Sequence, residues 1–184
     1  PESLREAGHA KAPGGADDGE FRLLAERLFY RSAEIRARAR KVNQDLKPDL
    51  VLCLHFNAES WGIPGRPSLV DRNHFHLLVN GAYTDEELAL DDQRFEMLHR
   101  LLQQTLAEEA AIADTAARVF ARQSGLPPYQ YEADSLRARR IGSTSYVWAR
   151  NLLANRLYHC PVLFYEPYVM NCREVHDRIQ AGDY

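Results

Sequence analysis

The chain has 184 residues, of which 45% are apolar and 27% charged, with a net charge of -3 and a pI near 6.2. One ordinary hydrophobic core fits that length, and the acidic balance gives no general attraction to polyanions, so nucleic acid is a poor partner. No apolar stretch reaches the roughly 18 residues that span a bilayer, and the three cysteines Cys53, Cys160 and Cys172 lack C-x-x-C spacing and read as buried thiols.

Residues 1–19 are rich in Gly, Ala, Asp and Pro and have no period of 2 or 3.6, which predicts a flexible arm or linker ahead of a folded domain over residues 20–184. Pro1 stands first in place of Met and no basic-then-apolar leader follows it, so this end gives no reading of localisation. From Glu20 to Leu46, apolar residues at Leu24, Leu28, Ile35, Ala39, Val42 and Leu46 fall on one face of a helix, with arginines on the other. Lys47-Pro48 ends that helix, because the residue before proline is pushed out of the α region. Leu50 to Phe56 is apolar on both faces, which predicts a central parallel strand covered by helices on both sides.

Ser60 to Arg72, with Gly62, Pro64, Gly65 and Pro67, predicts a surface loop long enough to serve a site. His74 to Val79 reads as a second strand closed by Asn80-Gly81. Asp85 to about Ser124 is helical, in two helices with apolar faces at Leu98, Leu101, Leu102, Leu106 and at Ile112, Ala116, Val119, Phe120, before a stop at Gly125. Leu126 to Thr144 is a connection, and Tyr146 to Tyr158 fits either a strand or a helix. Pro161 to Tyr165 is a proline-started strand, followed by a helix from about Arg173 to Gln180 that can cap on Asn171. Helices alternating with apolar strands give an α/β fold with a mainly parallel sheet flanked by helices.

In such sheets ligands bind in the crevice at the carboxyl ends of the strands. Two apolar runs here end in residues that can bind metal or move a proton: His55-Phe56-Asn57-Ala58-Glu59 and Glu166-Pro167. Neither type is needed to make a strand, and a carboxylate ending an apolar run carries a desolvation cost unless a cation meets it. Singly, each has a plain account, as a hydrogen-bonded structural histidine and a glutamate that reaches solvent; together, at equivalent strand ends, they mark a candidate site. His74 and His76 lie on the same side of their strand, either lining the cleft and touching substrate or facing solvent at an edge. Glu59 shares a face with His55 and Asn57 if the strand persists, and Trp61, Tyr129, Tyr131 and Trp148 either stack on a sugar or peptide or pin down their loops. His99, His159 and His176 read as surface residues.

Two stretches carry a family resemblance. Arg38, Asn43 and the run Pro48-Asp49-Leu50-Val51-Leu52-Cys53-Leu54-His55-Phe56-Asn57-Ala58 resemble the arginine-bearing helix and the "ADLFISIHANA" strand of the N-acetylmuramoyl-L-alanine amidases that cleave peptidoglycan. Pro161-Val162-Leu163-Phe164-Tyr165-Glu166-Pro167-Tyr168-Val169-Met170-Asn171 is similar to their "PAVLVELGFLSN" segment. The resemblance runs from about Glu34 onward, keeps the order of the two motifs, and matches the C-terminal portion of the family's catalytic domain.

The resemblance implies zinc as cofactor, His55 as a zinc ligand, and Glu166 as the catalytic carboxylate that works on the zinc-bound water. Asn57, His74 and His76 are the candidate substrate contacts, the two histidines alternatively replacing a missing zinc ligand; the resemblance further implies a peptidoglycan or muropeptide substrate and a place in the cell envelope. The family's other two ligands, a His in a "PGHGG" loop and a Glu on the next helix, precede the matched portion; Gly8-His9 and Gly14-Gly15 imitate those letters without a strand before them. The expectation is therefore an incomplete domain lacking its N-terminal strands, which need not be active alone. Two other functions fit the same residues: a zinc amidohydrolase of small N-acyl amino acids, and a catalytically silent chain that binds cell-wall fragments or a partner enzyme.

Overall fold

The computed structural model describes residues 18–63, 65–133 and 135–183. The predicted arm over residues 1–19, with Gly8-His9 and Gly14-Gly15, lies outside them except for Asp18 and Gly19, which open a helix. The chain divides after Pro48 into two compact units. The first is the predicted helix: α1 (Asp18–Leu28) and α2 (Glu34–Lys41) are joined and followed by π-helical turns at Phe29–Ala33 and Val42–Leu46. Of its apolar face Ala39 is buried, whereas Leu24, Leu28 and Leu46 are exposed. Lys47 takes a left-handed conformation (φ 45°) and donates its N–H to the Val42 carbonyl at 2.8 Å, so the helix stops where Pro48 was expected to stop it.

The second unit runs β1 (Val51–Leu54), β2 (Gly62–Ile63), β3 (Arg66–Pro67), β4 (His76–Val79), α3 (Asp85–Leu88), α4 (Asp91–Gln103), α5 (Leu106–Ser124), β5 (Ala138–Arg140), β6 (Val147–Arg150), α6 (Leu153–Arg156), β7 (Val162–Glu166) and α7 (Arg173–Ala181). Five strands form one sheet in the order β1-β7-β4-β6-β5. Parallel pairings (β1 with β7, β4 with β6) alternate across it with antiparallel ones (β7 with β4, β6 with β5). The expected α/β class stands, with a mixed sheet flanked by helices.

On one sheet face Phe75, Leu77, Val79, Val147, Ala149 and Leu163 pack with Ala113 and Ala117 of α5. The alanines let the helix approach closely, and each large side chain removed from water contributes about 1.5–3 kcal/mol. The other face is smaller, built on Leu78, Ala138, Trp148 and Phe164, with Cys53 and Tyr131 packed against it. Tyr165 belongs to the α5 face, where burial pushes its unpartnered hydroxyl well above the ordinary tyrosine range.

Several expectations change. β1 is an edge strand among the described residues, with Leu52 and Leu54 exposed, and not a strand covered on both faces. The helical stretch from Asp85 to Ser124 holds three helices: Thr84 and Glu87 close a capping box on α3, and Gln104, left-handed at φ 56°, breaks α4 from α5. Tyr146 to Tyr158 holds both a strand, β6, and a short helix, α6. The N-cap of α7 is Cys172; the Asn171 amide is instead spent on the Glu59 backbone, accepting from its N–H at 2.9 Å and donating to its carbonyl at 3.1 Å. Cys172 is buried, whereas Cys53 and Cys160 are only half-buried.

Two buried carboxylates hold this unit together. Asp114 of α5 accepts from the backbone N–H and hydroxyl of both Ser143 and Thr144, at 2.6 to 3.1 Å. Burial pushes its carboxyl up, but these four hydrogen bonds outweigh burial and hold it below the usual aspartate range. Gly142 makes that approach possible: with φ +73°, a Cβ there would meet the Asp114 oxygens at 2.7 Å. Glu109, also on α5, is ion-paired with Arg100 of α4 and accepts from the Val162 N–H at 2.9 Å, so it fastens both helices to the start of β7.

Candidate functional site

The end of β7 brings three strands together. Since β1 and β7 are parallel, both finish at the same edge, and the His55 N–H donates to the Tyr165 carbonyl at 2.9 Å. Since β4 runs antiparallel to β7, it starts where β7 finishes, and His76 is the cross-strand partner of Glu166. Residues side by side across a sheet point to the same face, so His55, Glu166 and His76 form a row over three neighbouring strands. One pleat deeper, Cys53, Phe164 and Leu78 continue that row into the smaller core.

Glu166 sits between two imidazoles of different character. Its Oε2 lies 3.1 Å from Nε2 of His76, whose side chain is 1% exposed. Its Oε1 lies 3.7 Å from Nδ1 of His55, whose side chain is 61% exposed and tilted over the Phe164 ring at 5.2 Å. The Glu166 side chain keeps 13% of its surface open, so it is largely buried without being sealed.

His74 and His76 are not solvent-facing edge residues: both are buried, and β4 is the middle strand of the sheet. Their rings clasp Tyr129, with centroids 4.8 and 4.9 Å from it. His74 has a carboxylate of its own, Glu59, whose Oε1 is 3.0 Å from Nε2, while Arg72 donates to Glu59 Oε2 at 3.2 Å. Burial lowers the His74 pKa, against the opposing pull of Glu59. Burial likewise raises the hydroxyl pKa values of Tyr129 and Tyr131. Arg150 donates to the Tyr131 hydroxyl at 3.2 Å, and that hydroxyl is 3.4 Å from His76 Nε2.

Of the residues expected at the site, Glu166, His55 and His76 come together directly, and His74 joins through Tyr129. Asn57 stands apart: its side chain accepts from the Ala58 N–H at 2.7 Å, and its backbone extends the β1 pairing by a bridge to Val169. Sequence patterning missed Arg150 altogether and gave Glu59, Tyr129 and Tyr131 no partners. Tyr129 and Tyr131 take the pinning role, Tyr131 also resting edge-on against Trp148 at 4.9 Å. His99 and His159, read as surface residues, form an edge-to-face pair at 4.7 Å.

A zinc site of the catalytic kind takes three protein ligands and keeps a fourth position open. Among the described residues no three His, Cys, Asp or Glu side chains form a group that could hold a metal ion, so these residues do not complete such a site. His55 has a ligand's posture: its Nδ1 is 3.0 Å from the Phe56 carbonyl, which can only accept, and hydrogen on Nδ1 leaves the Nε2 lone pair for a metal. No helix among the described residues is long and apolar enough to cross a membrane.

Neither a protein-family model nor a curated protein sequence matches the chain. Among solved structures it is similar to the N-acetylmuramyl-L-alanine amidase Ami1 from Mycobacterium smegmatis, at 14% identity and a TM-score of 0.46, over 79% of this chain and 50% of that one. It is also similar to the apo form of Ami1 from Mycobacterium abscessus, at 18% identity and a TM-score of 0.43, over 79% and 51%. The chain thus spans about half the length of each of those proteins.

Proposed function

We propose that this chain supplies part of a zinc-dependent hydrolytic site that cleaves the amide between N-acetylmuramic acid and L-alanine in peptidoglycan or muropeptides. The observation that carries the reading is the convergence of Glu166 and His55, 3.7 Å apart at the ends of adjacent parallel strands. These two residues also anchor the two segments that resemble the amidases.

In this reading Glu166 Oε1, the oxygen turned away from His76, takes a proton from the attacking water and returns it to the leaving nitrogen of L-alanine. A carboxylate held in the protein without being sealed suits that exchange, because it is steadied on its His76 side and still partly open. His55 would contribute one imidazole to a zinc ion, whose chemistry there would be to polarise the attacking water and make it acidic enough for Glu166 to deprotonate. Such a substrate puts the working protein in the cell envelope, periplasmic or extracellular.

The test is zinc content and the release of L-alanine peptides from purified peptidoglycan, measured on the full-length protein. Zinc binding should be lost in His55→Ala and peptide release in Glu166→Ala; release untouched by Glu166→Ala ends the mechanistic reading. Running N-acyl amino acids beside muropeptides separates this amidase from a small-molecule amidohydrolase. A second reading, a silent chain that binds cell-wall fragments, is favoured by the lack of a three-ligand group among the described residues, and muropeptide binding without metal or turnover would select it.

A further inference from the structure

We infer that His76 is the positioning residue of Glu166: a buried imidazole that donates from Nε2 to one carboxylate oxygen and so presents the other to the pocket. This rests on the proposed role of Glu166 as proton acceptor, and it reassigns His76 from substrate contact to support.

The argument starts from the two nitrogens of His76. Nδ1 is sealed from solvent and has no hydrogen-bond partner, so neither arrangement of the ring hydrogen gains a bond there. Nε2 has two neighbours, Glu166 Oε2 at 3.1 Å and the Tyr131 hydroxyl at 3.4 Å. With the hydrogen on Nδ1, a bare Nε2 lone pair would face a carboxylate oxygen and a buried N–H would lack an acceptor. With the hydrogen on Nε2, the ring makes a charge-assisted hydrogen bond to the carboxylate, so this tautomer is the one the site selects.

The ring cannot easily turn away. Tyr129 stacks on it at 4.9 Å and 29° between planes, and Tyr131 stands edge-on at 5.9 Å and 90°. Tyr131 is held in turn by Trp148 behind it and by Arg150, which donates to its hydroxyl at 3.2 Å and lies over its ring at 5.7 Å. Arg150 therefore acts at one remove: its hydrogen bond occupies the tyrosine oxygen, and the tyrosine limits the imidazole. With Oε2 taken up by His76, only Oε1 faces the exposed His55. A proton acceptor gains from such fixing because small displacements of a reacting group cost rate steeply.

Histidine 15N–1H long-range correlation spectra of the substrate-free chain read the tautomer directly. The expected His76 signature is a protonated Nε2 with an unprotonated Nδ1; an Nδ1-protonated or freely averaging ring overturns the inference. Two substitutions then separate the hydrogen bond from packing. His76→Phe keeps a ring but removes the donor, and His76→Gln places an amide N–H near the same point. The 13C carboxyl resonance of Glu166 should shift in His76→Phe and return in His76→Gln. Turnover on muropeptides should fall about tenfold to a hundredfold in His76→Phe with KM little changed, and recover in His76→Gln. Equal carboxyl shifts and equal turnover in the two variants would overturn the positioning role. A native tautomer and a Glu166 response as described, in a protein that cleaves no muropeptide, would instead sink the proposed function and leave the positioning standing.

Discussion

Strand β7 begins and ends at a carboxylate, and the fold treats the two differently. At its start, Glu109 is 1% exposed and saturated on one oxygen by the Arg100 guanidinium, the Val162 N–H and the Thr105 hydroxyl at 3.2 Å. At its end, Glu166 meets imidazoles, one buried and one exposed, and its side chain is not sealed from solvent. A carboxylate enclosed by a permanent cation, a backbone N–H and a hydroxyl is committed to architecture. One met by groups that can exchange protons, and left partly open, is available for chemistry. Burial alone would have ranked Glu109 as the more unusual residue; the kind of partner reverses that ranking.

Substitutions at each end should therefore fail in different ways. The largest effect is expected from Glu166→Gln, which keeps the shape and an acceptor for His76 but removes the base: peptide release should drop by about 10²–10⁴-fold, while urea unfolding shifts by only about 1 kcal/mol. Should Glu166→Gln unfold the protein instead, the contrast between the two ends collapses. Next comes Arg100→Met, which strands Glu109 without its cation and should cost about 3–5 kcal/mol in the same unfolding assay; a stable Arg100→Met protein would mean that the Glu109 end is not a structural lock.

A smaller, pH-dependent effect is expected at Asp114, a third carboxylate on the architectural side. Its pKa is lowered in the folded protein, so its contribution is present in full above the ordinary value of 3.8 and fades as pH falls through the folded value. Thermal unfolding between neutral pH and pH 2 should show that acid loss, and Asp114→Ala should flatten part of it. An unchanged acid limb in Asp114→Ala would assign the loss to other groups.

The sequence announced the site where a polar residue interrupts an apolar run, because His55 and Glu166 are conspicuous after Val-Leu-Cys-Leu and Val-Leu-Phe-Tyr. Its partners were harder to see for a physical reason: Glu59, Tyr129 and Tyr131 come from irregular connections, where no periodicity says which way a side chain points. The buried state of His74 and His76 followed from strand order, which local pattern does not encode, since β4 lies between β6 and β7 only once the distant strands have paired. The same limit explains β1, whose two-sided apolar pattern suited a central strand although it lies at an edge among the described residues. The hairpin β2–β3 and strand β5 are only two or three residues long, too short for any alternation to register.

The antiparallel register of β4 on β7 also sets a rule of parity. His76 faces Glu166, Leu77 faces Tyr165 and Leu78 faces Phe164. A slip of one residue along β7 would swing the histidines beneath α5 and put an aliphatic or phenyl group before the carboxylate, whereas a slip of two toward the earlier residue would set His74 where His76 stands. Register shifts of β4 are thereby sorted by parity and direction: of the slips by one or two residues, only the slip of two that brings His74 forward keeps an imidazole opposite Glu166.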